Sequence, residues 1–245
     1  MNYNIINFKN TAYKSVAIER PNFNCAEISL DKTDKLFIDQ ILEEANIFAS
    51  KVNPHGANSS TIRHEKTKHI DAVTGILSER ISEKVLNAII KKPYFSLIPS
   101  LSSYDQIDMA TTDGKTAEIR SSCIRNGIEF ALFCKNKNTN IQYIDVLGPY
   151  VNNYKSHENE RDLYVRVIFP YNKSDVLSLL QNLTSFTFYL TGGATKQMMN
   201  DTNYFIIKHL TPENSDVQFE SDYKVIPLGK SYDILEFIAY IKNQL

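Results

Sequence analysis

Residues 104–122 have the sequence YDQIDMATTDGKTAEIRSS, in which an Asp-Gly pair separates two strand-forming segments. An Asp-Gly pair in this position is typical of a type I′ β-hairpin. We therefore expect Asp108 and Glu118 to lie on adjacent antiparallel strands. Because side chains alternate along a strand, Glu118 and Arg120 should share one face. This stretch predicts a β-sheet and places two acids beside one cation.

The rest of the chain divides into a helical first part and a strand-rich second part. Apolar residues recur at helical spacing over 34–52, 70–92, 174–183 and 231–243. Beyond Pro99 an alternating pattern predicts strands at 105–110, 116–122, 128–134, 143–147, 163–169, 185–191 and 204–207. This order indicates an α+β (mixed α/β) domain with a central mixed, largely antiparallel sheet flanked by helices.

Length and composition favour one globular domain. The 245 residues are 42% hydrophobic and 22% charged, which excludes intrinsic disorder, and single cores grow to roughly 250–300 residues. We interpret 1–245 as a single domain, with an N-terminal helical arm (1–68), a core (69–170) and a C-terminal extension (171–245). The sequence shows no run of about 18 apolar residues and no signal-peptide pattern, so we expect a cytoplasmic protein without a membrane partner.

The charge is near neutral overall and unevenly distributed. The chain carries 27 Lys or Arg and 28 Asp or Glu, which excludes a strongly basic coat for nucleic acid. Residues 51–92 hold eight Lys or Arg against four Asp or Glu, a local balance of +4. This segment is the one in which a local basic surface for DNA is expected.

The predicted hairpin has the side chains of a site for a hard divalent ion. Magnesium takes oxygen ligands from one or two carboxylates and completes its shell with water and phosphate. Asp108 and Glu118 would supply those carboxylates, and a bound Mg²⁺ could hold a scissile phosphate or its attacking water. The alternative is a solvated hairpin in which Arg120 makes an ordinary ion pair with its acidic neighbours.

This pattern resembles the PD-(D/E)XK nuclease superfamily, which includes many type II restriction endonucleases. There an Asp on one strand is followed by a short hairpin and then by acid-x-Lys. The resemblance covers about 70–122 and implies a restriction-endonuclease-like core, with Asp108 and Glu118 on Mg²⁺ and Glu79 supporting the metal from the preceding helix. Arg120 stands where the superfamily has Lys. Because arginine does not deprotonate in proteins, it fits a phosphate clamp and not a general base.

Several polar residues are candidates for nucleic-acid contacts. Some precede the second helix, some follow Glu118, and two lie further along the chain: Arg63, His64, Lys66, Lys68, Ser122, Arg125, Asn126, Lys155 and Lys196. The alternative for the cations before the second helix is a solvated loop. Lys196 closes the stretch Thr191–Lys196, TGGATK, which lacks the second half of a Walker motif and more simply ends a strand and starts a helix.

The resemblance implies a Mg²⁺-dependent endonuclease that hydrolyses double-stranded DNA, acts as a homodimer and needs no organic cofactor. The alternative is a catalytically inactive nuclease-fold module that binds DNA or protein, which the arginine at the lysine position and the net charge of −1 favour. A nuclease acting on RNA or on modified DNA is a further possibility. The five histidines lack metal-ligand spacing, so a zinc site is not expected.

Overall fold

A central mixed sheet flanked by helices organises the protein, as the computed structural model shows for residues 1–9, 22–51, 55, 62–99, 107–124, 145–150, 159–183, 186–210 and 221–244. The strands are β1 Asn2–Lys9, β2 Asn22–Leu30, β3 Phe95–Leu97, β4 Met109–Thr111, β5 Thr116–Ile124, β6 Asp145–Tyr150, β7 Leu163–Asn172, β8 Phe186–Thr195, β9 Ile206–Leu210, β10 Ser221–Pro227 and β11 Tyr232–Asp233. The helices are α1 Lys35–Ala49, α2 Glu65–Ile90, α3 Val176–Asn182, α4 Lys196–Met199 and α5 Ile234–Lys242.

The large sheet has the order β1-β2-β8-β7-β5-β4-β3, with β11 added against β8. Its β5–β7 pair is parallel, and the other described pairs in this sheet are antiparallel. Strands β6, β10 and β9 form a smaller antiparallel sheet. The predicted α+β class, with a largely antiparallel mixed sheet, is confirmed. The restriction-endonuclease-like core and the division into parts at 68 and 170 stay predictions.

The main hydrophobic core lies between one face of the large sheet and the helices. Helix α2 has a continuous apolar stripe, in which Leu77, Ile81 and Val85 are buried and recur every four residues. On the sheet, Ala117 of β5 and Phe188 of β8 belong to the same core. Helix α2 ends at Ile90, where the following lysine adopts a left-handed conformation. This packing fixes α2 across the strands that carry the predicted acids.

A second, smaller core lies on the opposite face of the sheet. Tyr164 of β7 and Ala194 of β8 contact Met198 and Met199 of α4 and Ile226 of β10. Residues of β7 are therefore covered on both faces, since seven consecutive residues from Leu163 are buried. Polar side chains that point to this second face must find partners there.

The hairpin between β4 and β5 is confirmed, but the predicted type I′ turn is wrong. Gly114 N–H donates to the Thr111 carbonyl at 2.9 Å, and Thr111 N–H donates to the Lys115 carbonyl at 2.9 Å. Gly114 has a φ of +83°, whereas Asp113 is not among the positive-φ residues. A type I′ turn needs positive φ at both central positions. The Asp113 carboxylate instead accepts from the Thr111 and Tyr94 hydroxyls at 2.6 and 2.7 Å, which holds a type I turn followed by glycine.

The TGGATK stretch ends a strand and starts a helix, as its simpler interpretation predicts. Strand β8 runs to Thr195, whose hydroxyl caps α4 by accepting from Met198 N–H. A Cβ built on Gly193 would lie 1.9 Å from the Tyr164 carbonyl oxygen. The glycine is thus required by the close approach of β7 and not by a phosphate.

In the described part of the chain, no helix is both long enough and apolar enough to cross a lipid bilayer.

Candidate functional site

Asp108 and Glu118 lie next to each other at the start of the β4–β5 hairpin. The register pairs Met109 of β4 with Ala117 of β5. Asp108, just before β4, therefore lies opposite Glu118 of β5. The Asp108 Oδ2 accepts from Ile119 N–H at 2.6 Å. Both acids are buried, at 8% and 7% exposure. The Asp108 carboxylate is therefore held against the peptide that follows Glu118.

Glu79 approaches the same region from α2. Its side chain is half-buried on the helix, and one turn further along, the Glu83 carboxylate accepts from Leu97 N–H of β3 at 3.3 Å. Burial, together with the negative charge of Asp108, raises the pKa of Glu79 from 4.5 to about 8. The charge of Arg80 opposes this rise and that of Glu44 adds to it. Glu79 and Asp108 thus lie within electrostatic range of each other.

Glu118 and Arg120 share the second face of the sheet, as their spacing predicts. Arg120 Nη2 lies 2.7 Å from Glu118 Oε1, and the side chains are only 12% and 10% exposed. Glu118 also contributes to raising the pKa of its β7 neighbour Tyr164, for which burial is the largest cause. The ion pair is the arrangement that the alternative interpretation of the hairpin describes. It is buried in the sheet and not exposed to solvent.

The three predicted acids do not share one face of the sheet, since Glu79 approaches from α2 on the first face and Glu118 lies on the second. Asp108 contacts the peptide after Glu118 and interacts electrostatically with Glu79. Across the residues that the structure describes, no set of three or more His, Cys, Asp and Glu side chains is arranged to hold a metal ion. Asp108 and Glu79, which interact electrostatically, still match the chemistry of a Mg²⁺ site, which uses one or two carboxylates and water.

The cations predicted before and within α2 differ in their surroundings. Arg63 Nη1 lies 2.8 Å from Asp71 Oδ2, with 16% of its side chain exposed, and Asp71 also pairs with Lys173. Lys68 is 11% exposed and lies 2.5 Å from Glu65. His64 and Lys66 are exposed. Of these residues, the exposed two present their polar atoms most directly to solvent.

The other predicted contact residues lie far apart or outside the described residues. Ser122 is 9% exposed, and its hydroxyl accepts from a β7 side chain, so it does not face solvent. Lys196 begins α4 with half of its side chain exposed, 3.6 Å from Glu160. Arg125, Asn126 and Lys155, and the strand predicted at 128–134, lie outside the described residues.

Two polar residues at this site have no place among the sequence predictions. Arg166, in the centre of β7, is fully buried, and its guanidinium donates to β5. Asp162, just before β7, accepts from the N–H and hydroxyl of Thr116 at 2.8 and 3.0 Å, which fixes the start of β5. The signal for Arg166 is present in the sequence, because a lone arginine interrupts the apolar run LYVRVIF at 163–169.

Comparison with known proteins finds a relative that matches most of the chain. The uncharacterized protein MJECS01 of Methanocaldococcus jannaschii is 22% identical over an alignment of 254 residues, which covers 91% of this chain and 87% of that protein. No protein-family model matches the chain. No solved structure matches it. The similarity extends along most of both chains, and the relative's name states no activity.

Proposed function

We propose that the protein is a Mg²⁺-dependent endonuclease that hydrolyses phosphodiester bonds in DNA. The observation that carries the proposal is the pairing of two carboxylates, Glu79 and Asp108, at the base of a hairpin that also presents Glu118 and Arg120. Burial is the largest cause of the raised pKa of Glu79, and repulsion by the Asp108 carboxylate is the second. A divalent cation between them would relieve that repulsion.

The acidic residues and the backbone of β5 would have distinct roles in this reaction. Asp108 and Glu79 would hold the metal, and Glu118 would join them only by turning away from the second face of the sheet, where it pairs with Arg120. When bound, Mg²⁺ supplies a Lewis acid for a phosphate oxygen and lowers the pKa of a water molecule. The bond from Ile119 N–H fixes the Asp108 carboxylate before any substrate arrives. Because this carboxylate is already oriented, less reorganisation free energy is needed when charge develops in the transition state.

Arg120 would stabilise the negative charge that develops on the phosphate oxygens. Its guanidinium has five N–H donors in a planar fork. One nitrogen, Nη2, lies 2.7 Å from Glu118 Oε1. A phosphate that reaches Arg120 would compete with Glu118 and release this carboxylate toward the metal. Arg120 would not activate water, because its guanidinium keeps its proton at every accessible pH.

The substrate would be double-stranded DNA, and the expected assembly is a homodimer, since cutting both strands at one place takes two sites. Lys66 and His64 are exposed beside α2 and would contact phosphates. Arg63, Lys68 and Arg80 form intramolecular ion pairs, which reduces what the basic segment offers to DNA. The cytoplasm is the expected location for an enzyme of this kind.

The second candidate is an inactive module that binds DNA or protein through the same sheet. The buried Glu118–Arg120 ion pair favours it, because Glu118 already has a cationic partner and a metal would have to replace it. In this case Arg120 and Asp108 are structural, and removing their charges lowers stability without removing a reaction.

Cleavage of long genomic DNA, with and without base methylation, distinguishes the two candidates. With Mg²⁺ we expect the wild-type protein to cut, and a chelator to stop the cutting. Asp108→Asn keeps an acceptor for Ile119 N–H and should reduce the rate at least about 100-fold, whereas Glu43→Gln, on the exposed face of α1, should not change it. Wild-type protein that binds DNA and leaves it intact with both Mg²⁺ and Mn²⁺ would support the inactive module.

A further inference from the structure

Arg166 is a fully buried cation in the middle of the sheet. It lies on β7, paired in register with Arg120 on β5 and with Gly192 on β8, and its side chain is 0% exposed. Burying a guanidinium is costly unless its N–H groups are bonded. An apolar residue at this position would avoid that cost. The arginine therefore calls for a role that packing alone does not supply.

Two nitrogens of the Arg166 guanidinium donate to the strand that carries the candidate site. Nη1 donates to the Arg120 carbonyl oxygen at 3.0 Å, and Nη2 donates to the Ser122 hydroxyl at 2.8 Å. Both acceptors lie on β5, within four residues of Glu118. The fork of the guanidinium thus spans two alternate residues of β5 and fixes their spacing and orientation.

The position of Arg166 also affects the charges of the site. Arg120 and Arg166 are neighbours on parallel strands, and Glu118 pairs with the former. These three side chains together carry one net positive charge on the second face of the sheet. The second guanidinium also attracts Glu118, which weakens the Glu118–Arg120 interaction. An incoming anion can then displace Glu118 from Arg120 more easily.

We infer that Arg166 is a positioning residue that holds Arg120 in place and keeps it available to a phosphate. Its effect on cleavage rests on the proposed function, whereas its effect on Arg120 does not. Arg166 touches neither substrate nor metal in this assignment and acts through β5. It would thus be a further determinant of the reaction rate, placed outside the three acids and Arg120.

The expected consequences differ between three substitutions. Arg166→Met keeps the volume and removes both donors, so Arg120 should lose its fixed orientation. Arg166→Lys keeps the charge but cannot reproduce the planar fork, so it should restore only part of the effect. Ser122→Ala removes one acceptor and leaves Arg166 in place, which should give a small change in the same direction.

The first measurement is the side-chain NMR signal of the Arg120 guanidinium, together with hydrogen exchange of the β5 amides. We expect Arg166→Met to shift the Arg120 signal and to increase exchange from Ile119 to Ser122. Leu77→Ala is the control, because it destabilises α2 on the other face of the sheet. It should lower stability without moving the Arg120 signal. If Arg166→Met also leaves the Arg120 signal unchanged, Arg166 does not position Arg120 and the assignment is wrong.

The second measurement is a double-mutant cycle on DNA cleavage with Mg²⁺. Arg166→Met should lower kcat by 10-fold to 100-fold in the wild-type background and by less than 3-fold in the Arg120→Ala background. Equal losses in both backgrounds would mean that Arg166 does not act through Arg120. If the wild-type protein cuts no DNA, the proposed function fails, and the NMR measurement still decides the positioning role. If Arg166→Met does not fold, Arg166→Lys and Ser122→Ala provide the same comparison.

Discussion

Replacing Glu79 by glutamine should make the protein more stable in alkaline solution. Burial and the charge of Asp108 raise the pKa of Glu79 to about 8, whereas an unfolded chain keeps it near its usual value of roughly 4.5. Between these two values the folded protein holds a proton that the unfolded chain releases. The free energy of unfolding should therefore fall as the pH rises from about 4.5 to about 8.

The size of the effect follows from the two pKa values. A change from 4.5 to about 8 corresponds to at most about 5 kcal/mol. Glu79 is half-buried, so water and nearby cations screen part of this energy, and we expect about 2 kcal/mol. Glutamine keeps the shape and carries no charge. Glu79→Gln should thus match the wild type at pH 5 and exceed its stability by about 2 kcal/mol at pH 8.5.

Urea denaturation in the presence of a chelator, at pH values from 5 to 9, measures this difference. Glu43→Gln is the matched control, since this acid lies exposed on α1, and its curve should follow the wild type throughout. Asp108→Asn should reproduce part of the gain by removing one source of repulsion. A Glu79→Gln variant that tracks the wild type at every pH would show that the two carboxylates do not interact.

Two further predictions concern a tight backbone contact and the basic segment. Gly193→Ala should lower the free energy of unfolding by about 3 kcal/mol or more, because the new Cβ would lie 1.9 Å from the Tyr164 carbonyl oxygen. Gly75→Ala has nothing within 4 Å of its Cβ and should stabilise α2 by about 0.5–1 kcal/mol. Thermal unfolding measures both changes. Lys66→Ala should weaken DNA binding and lower the salt slope by about 1, whereas Arg63→Ala should reduce stability more than binding, as titrations at several salt concentrations would reveal; equal effects on binding would contradict this distinction.

Periodicity predicted the larger elements because those elements are amphipathic or alternate regularly. The helix expected at 70–92 begins earlier, at Glu65, since the polar first turn of α2 has no apolar stripe to mark it. Of the strand expected at 105–110, the first two residues lie outside the described residues. Strand β4 begins at Met109, because Asp108 accepts from Ile119 N–H with its side chain and not with its backbone. Strands β3 and β10 are among those that the alternating pattern does not predict. Their three and seven residues gain stability from neighbours that the sequence does not identify.

The site was predictable where it depends on local spacing and was not where it depends on long-range contacts. The two-residue spacing of Glu118 and Arg120 gave their common face. The type I turn could not be derived from the Asp-Gly pair alone, because Thr111 and Tyr94, the latter 19 residues before Asp113, also donate to the Asp113 carboxylate. The partner of Arg63 is Asp71 of α2, and the spacing of eight residues between them did not indicate this contact. Arg166 was not predicted, because the burial of its side chain depends on the neighbouring strands β5 and β8, which the local sequence does not identify.

Diffraction from crystals soaked in Mn²⁺ tests the central claim most directly, since this ion gives an anomalous signal and shares the oxygen ligands of Mg²⁺. We expect a peak within about 2.3 Å of the carboxylates of Asp108 and Glu79, with Glu118 turned toward it and Arg120 close by. A map without a peak at these acids, in crystals of protein that retains the Glu118–Arg120 ion pair, would contradict it.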